Sequence, residues 1–280
     1  MSTSVSAGAI TQFVDVGGEN IAYRSLGAAS APPVVLTQRF RGTMDHWDPE
    51  LLDDLASERR VIVFDSPGIG ASGGTARDSI PAMADAAAGF MAALGIARYD
   101  VLGWSMGGGV AQWLALKHPE SVRKLVLAGC GPGAVPDAPK APAKVWQVAG
   151  KDVNDDEDFL YLFYPETGEA RAAGLASLRR LDRRLLASRS VVGVDAVKAQ
   201  QAAIAAYASG ADSALPHLSE ITAPTLAANG IHDVMVSSYE AYVLAQRIPN
   251  AYLVLYPHSG HAFHFQHAHL FGRHVREFLR

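Results

Sequence analysis

Ser105 sits at the centre of Gly103-Trp104-Ser105-Met106-Gly107, between the apolar run Tyr99 to Gly103 and an apolar-periodic stretch through Val110, Leu114 and Leu116. The order reads as a strand, a very tight turn and a helix. Such a turn forces the serine into a strained backbone conformation, and only glycines beside it avoid steric clash. The hydroxyl is then exposed above the sheet edge, at the positive end of the following helix. A serine hydroxyl is a poor nucleophile at neutral pH, so an imidazole must take its proton. A carboxylate must in turn hold that imidazole in the right tautomer and stabilise the cation formed. Two later stretches supply both groups. Asp233 follows an apolar run through Asn229-Gly230-Ile231-His232, and His261 follows Ala251 to Tyr256 through Pro257-His258-Ser259-Gly260. Ser, then Asp, then His is the chain order expected when a nucleophile elbow carries a triad.

Competing readings are weaker. His258, His264, His267 and His269 crowd around His261. His261 is preferred because it follows Ser-Gly at a strand's end, whereas His264 and His267 fall at the start of the last helix. A metal site is not expected, since no Cys or paired acidic ligand is nearby and the spacing follows no zinc pattern. Gly68, Gly70 and Gly73 match Gly-x-Gly-x-x-Gly, but they do not open a helix directly, and no second strand ends in an acid about 20 residues on. A turn-rich loop is the better reading, and no cofactor is expected. Asp152, Asp155, Asp156, Glu157 and Asp158 are too irregular for a calcium loop and read as a solvated helix start. Cys130, the one cysteine, reads as a buried structural thiol.

Elements must hold those three loops together. Phe13 to Val16 and Ile21 to Arg24 read as a hairpin around Gly17-Gly18. Buried strands follow at Val34 to Leu36, Arg60 to Phe64, Tyr99 to Gly103 and Lys124 to Ala128. Helices are expected over Trp47 to Ser57, Ile80 to Leu94, and from the nucleophile turn to His118. The texture changes at Gly131 to Pro142, where four prolines stop the alternation. From Ala143 to Ala214 the pattern is helical throughout. Alternation then resumes at Ala223, with a helix over Ser237 to Ile248, the strand Ala251 to Tyr256 and a final helix to Arg280. The expected organisation is a core in two parts, 1–131 and 216–280, with a helical segment at 132–215 between them. Met1 to Ile10 is small and polar and is expected to fray. Ser105, Asp233 and His261 then lie at carboxyl ends of parallel strands, where open α/β sheets place their ligands. Trp146 and the run Phe159 to Tyr164 have two readings, ordinary packing or the roof of an apolar pocket.

Composition sets the outer bounds. Of 280 residues, 49% are hydrophobic and 19% charged, so one large α/β domain with a sizeable core is expected. The net charge of −4, without a basic block, argues against nucleic acid and anionic membrane as partners. No charged n-region with an apolar h-region opens the chain, and no apolar run approaches transmembrane length. A cytoplasmic protein is expected, and a homodimer stays open.

Four pieces carry a resemblance: Asp65-x-Pro-Gly-x-Gly-x-Ser72, Gly103-Trp-Ser-Met-Gly107, Asn229-Gly-x-x-Asp233 and Ser259-Gly-His261. Together they resemble the α/β-hydrolase superfamily, in its capped group of esterases, lactonases and proteins labelled non-haem haloperoxidase. The resemblance covers nearly everything from Phe13 to the C-terminus. It implies an eight-stranded, mostly parallel sheet with helices on both faces and a helical cap after the sixth strand. It also implies a serine hydrolase acting on a carboxylic ester or lactone. Ser105 would be the nucleophile, His261 the proton relay and Asp233 its orienting acid, with the N–H groups of Phe40 and Met106 holding the oxyanion. Trp104, Trp146, Phe159, Phe163 and Arg39 are the candidate pocket residues. A C–C bond hydrolase, a perhydrolase or a small-molecule receptor with slow turnover are the alternatives within the same fold. One departure stands out. Relatives carry His-Gly after the third strand, where this chain has Gln38-Arg39. Arg39 either pairs with a distal substrate carboxylate or points away, and arginines being mostly solvent-facing, the second is expected.

Overall fold

The computed structural model describes residues 5–188 and 191–280. Eight strands form one twisted sheet: β1 (Gln12–Val16), β2 (Glu19–Leu26), β3 (Pro33–Thr37), β4 (Arg60–Phe64), β5 (Tyr99–Trp104), β6 (Val122–Ala128), β7 (Thr225–Gly230) and β8 (Ala251–Tyr256). Their order across the sheet is β1-β2-β4-β3-β5-β6-β7-β8. β1 and β2 pair antiparallel, as do β2 and β4, and every later pairing is parallel. The expected eight-stranded, mostly parallel α/β-hydrolase sheet is therefore what forms.

The near-continuous apolar runs of β3 to β7 follow from burial on both faces, which a parallel sheet covered by helices requires. The two-residue period sorts them cleanly. Val34, Leu36, Val61, Val63, Leu102 and Trp104 pack into one core, beneath the helices Pro49–Ala56 and Ala268–Leu279. Val35, Ile62, Phe64 and Val101 pack into the other, with the helices Ile80–Ala93 and Met106–Lys117. β3 has β4 on one side and β5 on the other, so the chain leaves this point in opposite directions. A crevice opens at such a reversal, beyond the carboxyl ends of the strands.

Between β6 and β7, the described residues form four α-helices, Ala143–Ala149, Asp156–Phe163, Gly168–Ser188 and Val194–Ser209. They are tied to the segment that follows β3 by side-chain bonds. The Ser177 hydroxyl donates to Asp48 at 2.6 Å, Arg180 makes an ion pair with the same carboxylate at 2.7 Å, and Arg41 donates to the Ala149, Lys151 and Asp152 carbonyls. The acidic cluster does start a helix, where Asp155 and Asp158 form a capping box.

Two local expectations need correction. The helix expected from Trp47 begins at Pro49, because the Asp48 side chain caps the Glu50 N–H and proline suits the first turn. Trp47 stays buried beneath it. The N-terminal segment does not fray at residues 5–8, which form a short helix. Ser6 N–H donates to Asp53 at 2.7 Å, and Arg184 donates to the Ser6 and Ala9 carbonyls. Residues 1–4 lie outside the described residues. The Gly68–Gly73 loop is a turn structure, with positive φ at Gly68 and Gly70 and the Asp65 carboxylate accepting from Met44 and Ala71 N–H. Burial pushes that carboxyl up to about 6. Among the described residues no helix is long and apolar enough to cross a membrane.

Candidate active site

Ser105 takes φ 57° and ψ −123°, the strained conformation its turn demands. The flanking glycines are needed for space. A Cβ on Gly103 would lie 2.4 Å from the Gly107 carbonyl oxygen, and one on Gly107 would lie 2.1 Å from that of Thr37. The Thr37 hydroxyl also donates to the Gly107 carbonyl at 2.8 Å, stitching the end of β3 to the nucleophile turn.

The loops after β7 and β8 are stitched in the same way. A Cβ on Gly230 would lie 2.4 Å from the Ser259 carbonyl oxygen, and His232 N–H donates to that carbonyl at 2.9 Å. Asp233 spends both carboxylate oxygens. One accepts from Met235 and Val236 N–H at 2.8 and 3.0 Å, and the other meets His261 Nδ1 at 2.7 Å. Both side chains of that pair are wholly out of solvent. A carboxylate only accepts, so Nδ1 carries the hydrogen and Nε2 keeps its lone pair. The backbone of His261 is held as well, by the Trp104 indole N–H on its carbonyl at 3.2 Å. Its ring packs against Trp104 and Phe163, with centroids 5.8 and 5.6 Å away, and those two rings are 5.7 Å from each other.

His261 Nε2 is buried and has no hydrogen-bond partner among the described residues, and His261 lines the cavity that Ser105 lines. The cavity holds about 380 Å³ and is also walled by Phe40, Phe159, Phe163 and Met235. On the loop after β3, Arg39 N–H donates to the Gln38 side chain and Arg41 N–H to Gln200, while Phe40 N–H finds no acceptor among the described residues. Met106 opens its helix, so its N–H has no partner within that helix. Gln38 has taken over the bracing of this loop, since its side chain also donates to the Thr43 carbonyl at 2.9 Å. Gly42 leaves the room, because a Cβ there would meet the Gln38 side chain at 2.2 Å.

Several sequence-based site residues lie elsewhere. Trp104 does not wall the cavity but backs it, fully buried beneath His261 and Phe163. Trp146 is 57% exposed and borders a separate apolar groove with Phe40 and Ile204. The Met106 side chain lines another pocket, leaving only its N–H for the site. Arg39 does not point away: its guanidinium lies over Trp104 and Phe163, 5.5 and 5.2 Å from their centroids, and borders the cavity. Those two faces hold a cation better than water-facing packing would. His258 is exposed and stacks on His232, while His264 is buried among Trp47, Trp104 and Phe265. Cys130 is buried, and burial pushes its thiol up, away from reactivity. Sequence reasoning missed His46, Leu178 and Leu181 on the cavity wall. The three-residue spacing of the two leucines on one helix was the available signal.

Glu240 packs beside Gly131, within range of the Asp233 charge. Burial, and then the charge of Asp233, push its carboxyl up from 4.5 to about 7. A folded value above the unfolded one means stability is fully present below 4.5 and is lost as the pH rises through about 7. Glu240→Gln is therefore expected to melt higher than the native protein at pH 8, by about 1–2 kcal/mol, and no higher at pH 4.5. Thermal melts at the two pH values check this; equal shifts at both would refute it.

The alpha/beta hydrolase fold family matches the chain over residues 32–268. The chain is 35% identical to an alpha/beta hydrolase fold protein from Chitinophaga pinensis, with a TM-score of 0.87 and 98% of each chain covered. It is 29% identical over 252 residues to a pimeloyl-[acyl-carrier protein] methyl ester esterase from Nitrosomonas europaea, covering 83% of this chain and 90% of that protein. It is 31% identical over 240 residues to a 2-hydroxymuconate semialdehyde hydrolase from Pseudomonas putida, covering 79% and 77%.

Proposed function

We propose, from the premise that this chain belongs to the α/β-hydrolase fold family and is a hydrolase, that it cleaves a carboxylic ester or lactone through an acyl-enzyme on Ser105. The observation that carries this reading is a buried His261, held by Asp233 and with Nε2 unpaired among the described residues, lining the same cavity as a strained serine. His261 Nε2 takes the Ser105 proton as Oγ attacks the carbonyl carbon. The oxyanion is met by the N–H groups of Phe40, which finds no acceptor among the described residues, and of Met106, which has no partner within its helix. When the tetrahedral species collapses, His261 returns the proton to the departing alkoxide. Water then attacks the acyl group with the same histidine as base, and Ser105 is regenerated. Residues 132–215 are the cap in this reading, and Phe159 and Phe163 give the pocket its apolar wall.

A second reading has one observation in its favour, the likeness to the 2-hydroxymuconate semialdehyde hydrolase, so a C–C bond could be the bond broken. The two are separated by assaying p-nitrophenyl butyrate, a γ-lactone and 2-hydroxymuconate semialdehyde side by side. Ester or lactone turnover supports our reading. Turnover of the semialdehyde alone replaces it, and tight binding without turnover makes the protein a receptor.

A further inference from the structure

The loop after β3 carries two arginines with opposite fates. Arg41 is spent, since it donates to the carbonyls of Ala149, Lys151 and Asp152 at 3.3, 2.5 and 2.7 Å. Arg39 is not. Its Nη1 donates to the Phe40 carbonyl at 2.7 Å, its Nε is out of solvent without an acceptor, and no carboxylate pairs with it among the described residues. Trp104 and Phe163, their centroids 5.7 Å apart, meet the guanidinium from one side, and Nη2, which makes no hydrogen bond among the described residues, is what remains for a ligand. Burial and the charge of Arg41 bring it down to about 10, which still leaves it cationic at neutral pH. A desolvated charge without a counter-ion is costly, and a bound anion would relieve it.

A second donor stands beside it. His46 Nδ1 accepts the Thr43 N–H at 3.0 Å, which leaves the hydrogen on Nε2. Burial, with the Arg39 charge, pushes this imidazole down to about 3, so it is a neutral donor on the same cavity wall.

Resting on the ester-hydrolase reading, we propose that Arg39 and His46 form a carboxylate-binding subsite beside Ser105, and that the preferred substrate is the half-ester of a dicarboxylic acid. A guanidinium edge matches a carboxylate in a two-point, charge-assisted contact. Four exposed aspartates, Asp152, Asp155, Asp156 and Asp182, border the cavity without pairing with Arg39, and their charge opposes a dianion. One carboxylate is therefore the fitted ligand.

The test compares monomethyl with dimethyl adipate on the native protein, Arg39→Met and Arg39→Lys. The half-ester is expected to have the higher kcat/KM on the native protein. That preference should fall about 10- to 100-fold in Arg39→Met and be only partly kept in Arg39→Lys, which retains the charge but not the two-point contact. Calorimetry on Ser105→Ala gives a readout free of turnover: the half-ester should bind tighter than the diester, and Arg39→Met should remove the difference. No preference in the native protein, or an equal loss on both esters in Arg39→Met, would overturn the subsite and leave Arg39 as a prop for Phe40. Were Ser105→Ala to hydrolyse both esters at the native rate, the ester mechanism would fall instead, while calorimetry still decided the subsite.

Discussion

Ser105→Ala is expected to lose ester turnover by a factor of roughly 10⁴ or more, with a melting temperature close to that of the native protein. The size of the loss follows from the group removed. Without Oγ no acyl-enzyme forms, and only the oxyanion donors and substrate binding remain to assist water. The stability side follows from the backbone. Alanine meets the same strain at φ 57° as serine does, and no side-chain hydrogen bond of Ser105 caps the helix that follows. The check is kcat/KM on p-nitrophenyl butyrate together with a thermal melt. Unchanged turnover in a folded variant would remove Ser105 from the mechanism.

His261→Ala is expected to cost a comparable factor, roughly 10⁴ or more, because a serine hydroxyl without its base is a poor nucleophile. His258→Ala is the control. His258 is exposed, its ring stacks on His232, and neither borders the Ser105 cavity, so rates within about threefold of native are expected, as for surface sites remote from the chemistry. The same two assays decide it. A deep loss in His258→Ala with activity kept in His261→Ala would transfer the base to His258.

The candidate triad was legible because each residue sits just past a strand's carboxyl end in a turn that its glycines dictate. Gly103 clears the Gly107 carbonyl and Gly107 clears the Thr37 backbone, while Gly230 lets the Asp233 and His261 loops touch. Such constraints are local, so sequence spacing expresses them. The direction of Arg39 is not local. It is set by Trp104 on β5 and Phe163 at the end of a helix some 120 residues away, and a solvent-facing default misleads when two rings converge on one guanidinium. Trp146 misled for a different reason. Its helix buries Val145, Val148 and Ala149, an i, i+3, i+4 face that leaves Trp146 outside. Composition suggested a roof, while periodicity already pointed outward. His46 escaped notice because its Nδ1 is recruited by the Thr43 N–H, a short-range cap that looks in sequence like any Thr-x-x-His.

The most direct measurement is covalent trapping. A fluorophosphonate probe reacts only with a serine whose base and oxyanion donors are assembled. Incubated with the native protein and mapped by peptide mass spectrometry, it is expected to give one adduct, on Ser105, that is absent from Ser105→Ala and strongly slowed in His261→Ala. An adduct on another residue, or none on a protein that turns over esters, would contradict the account.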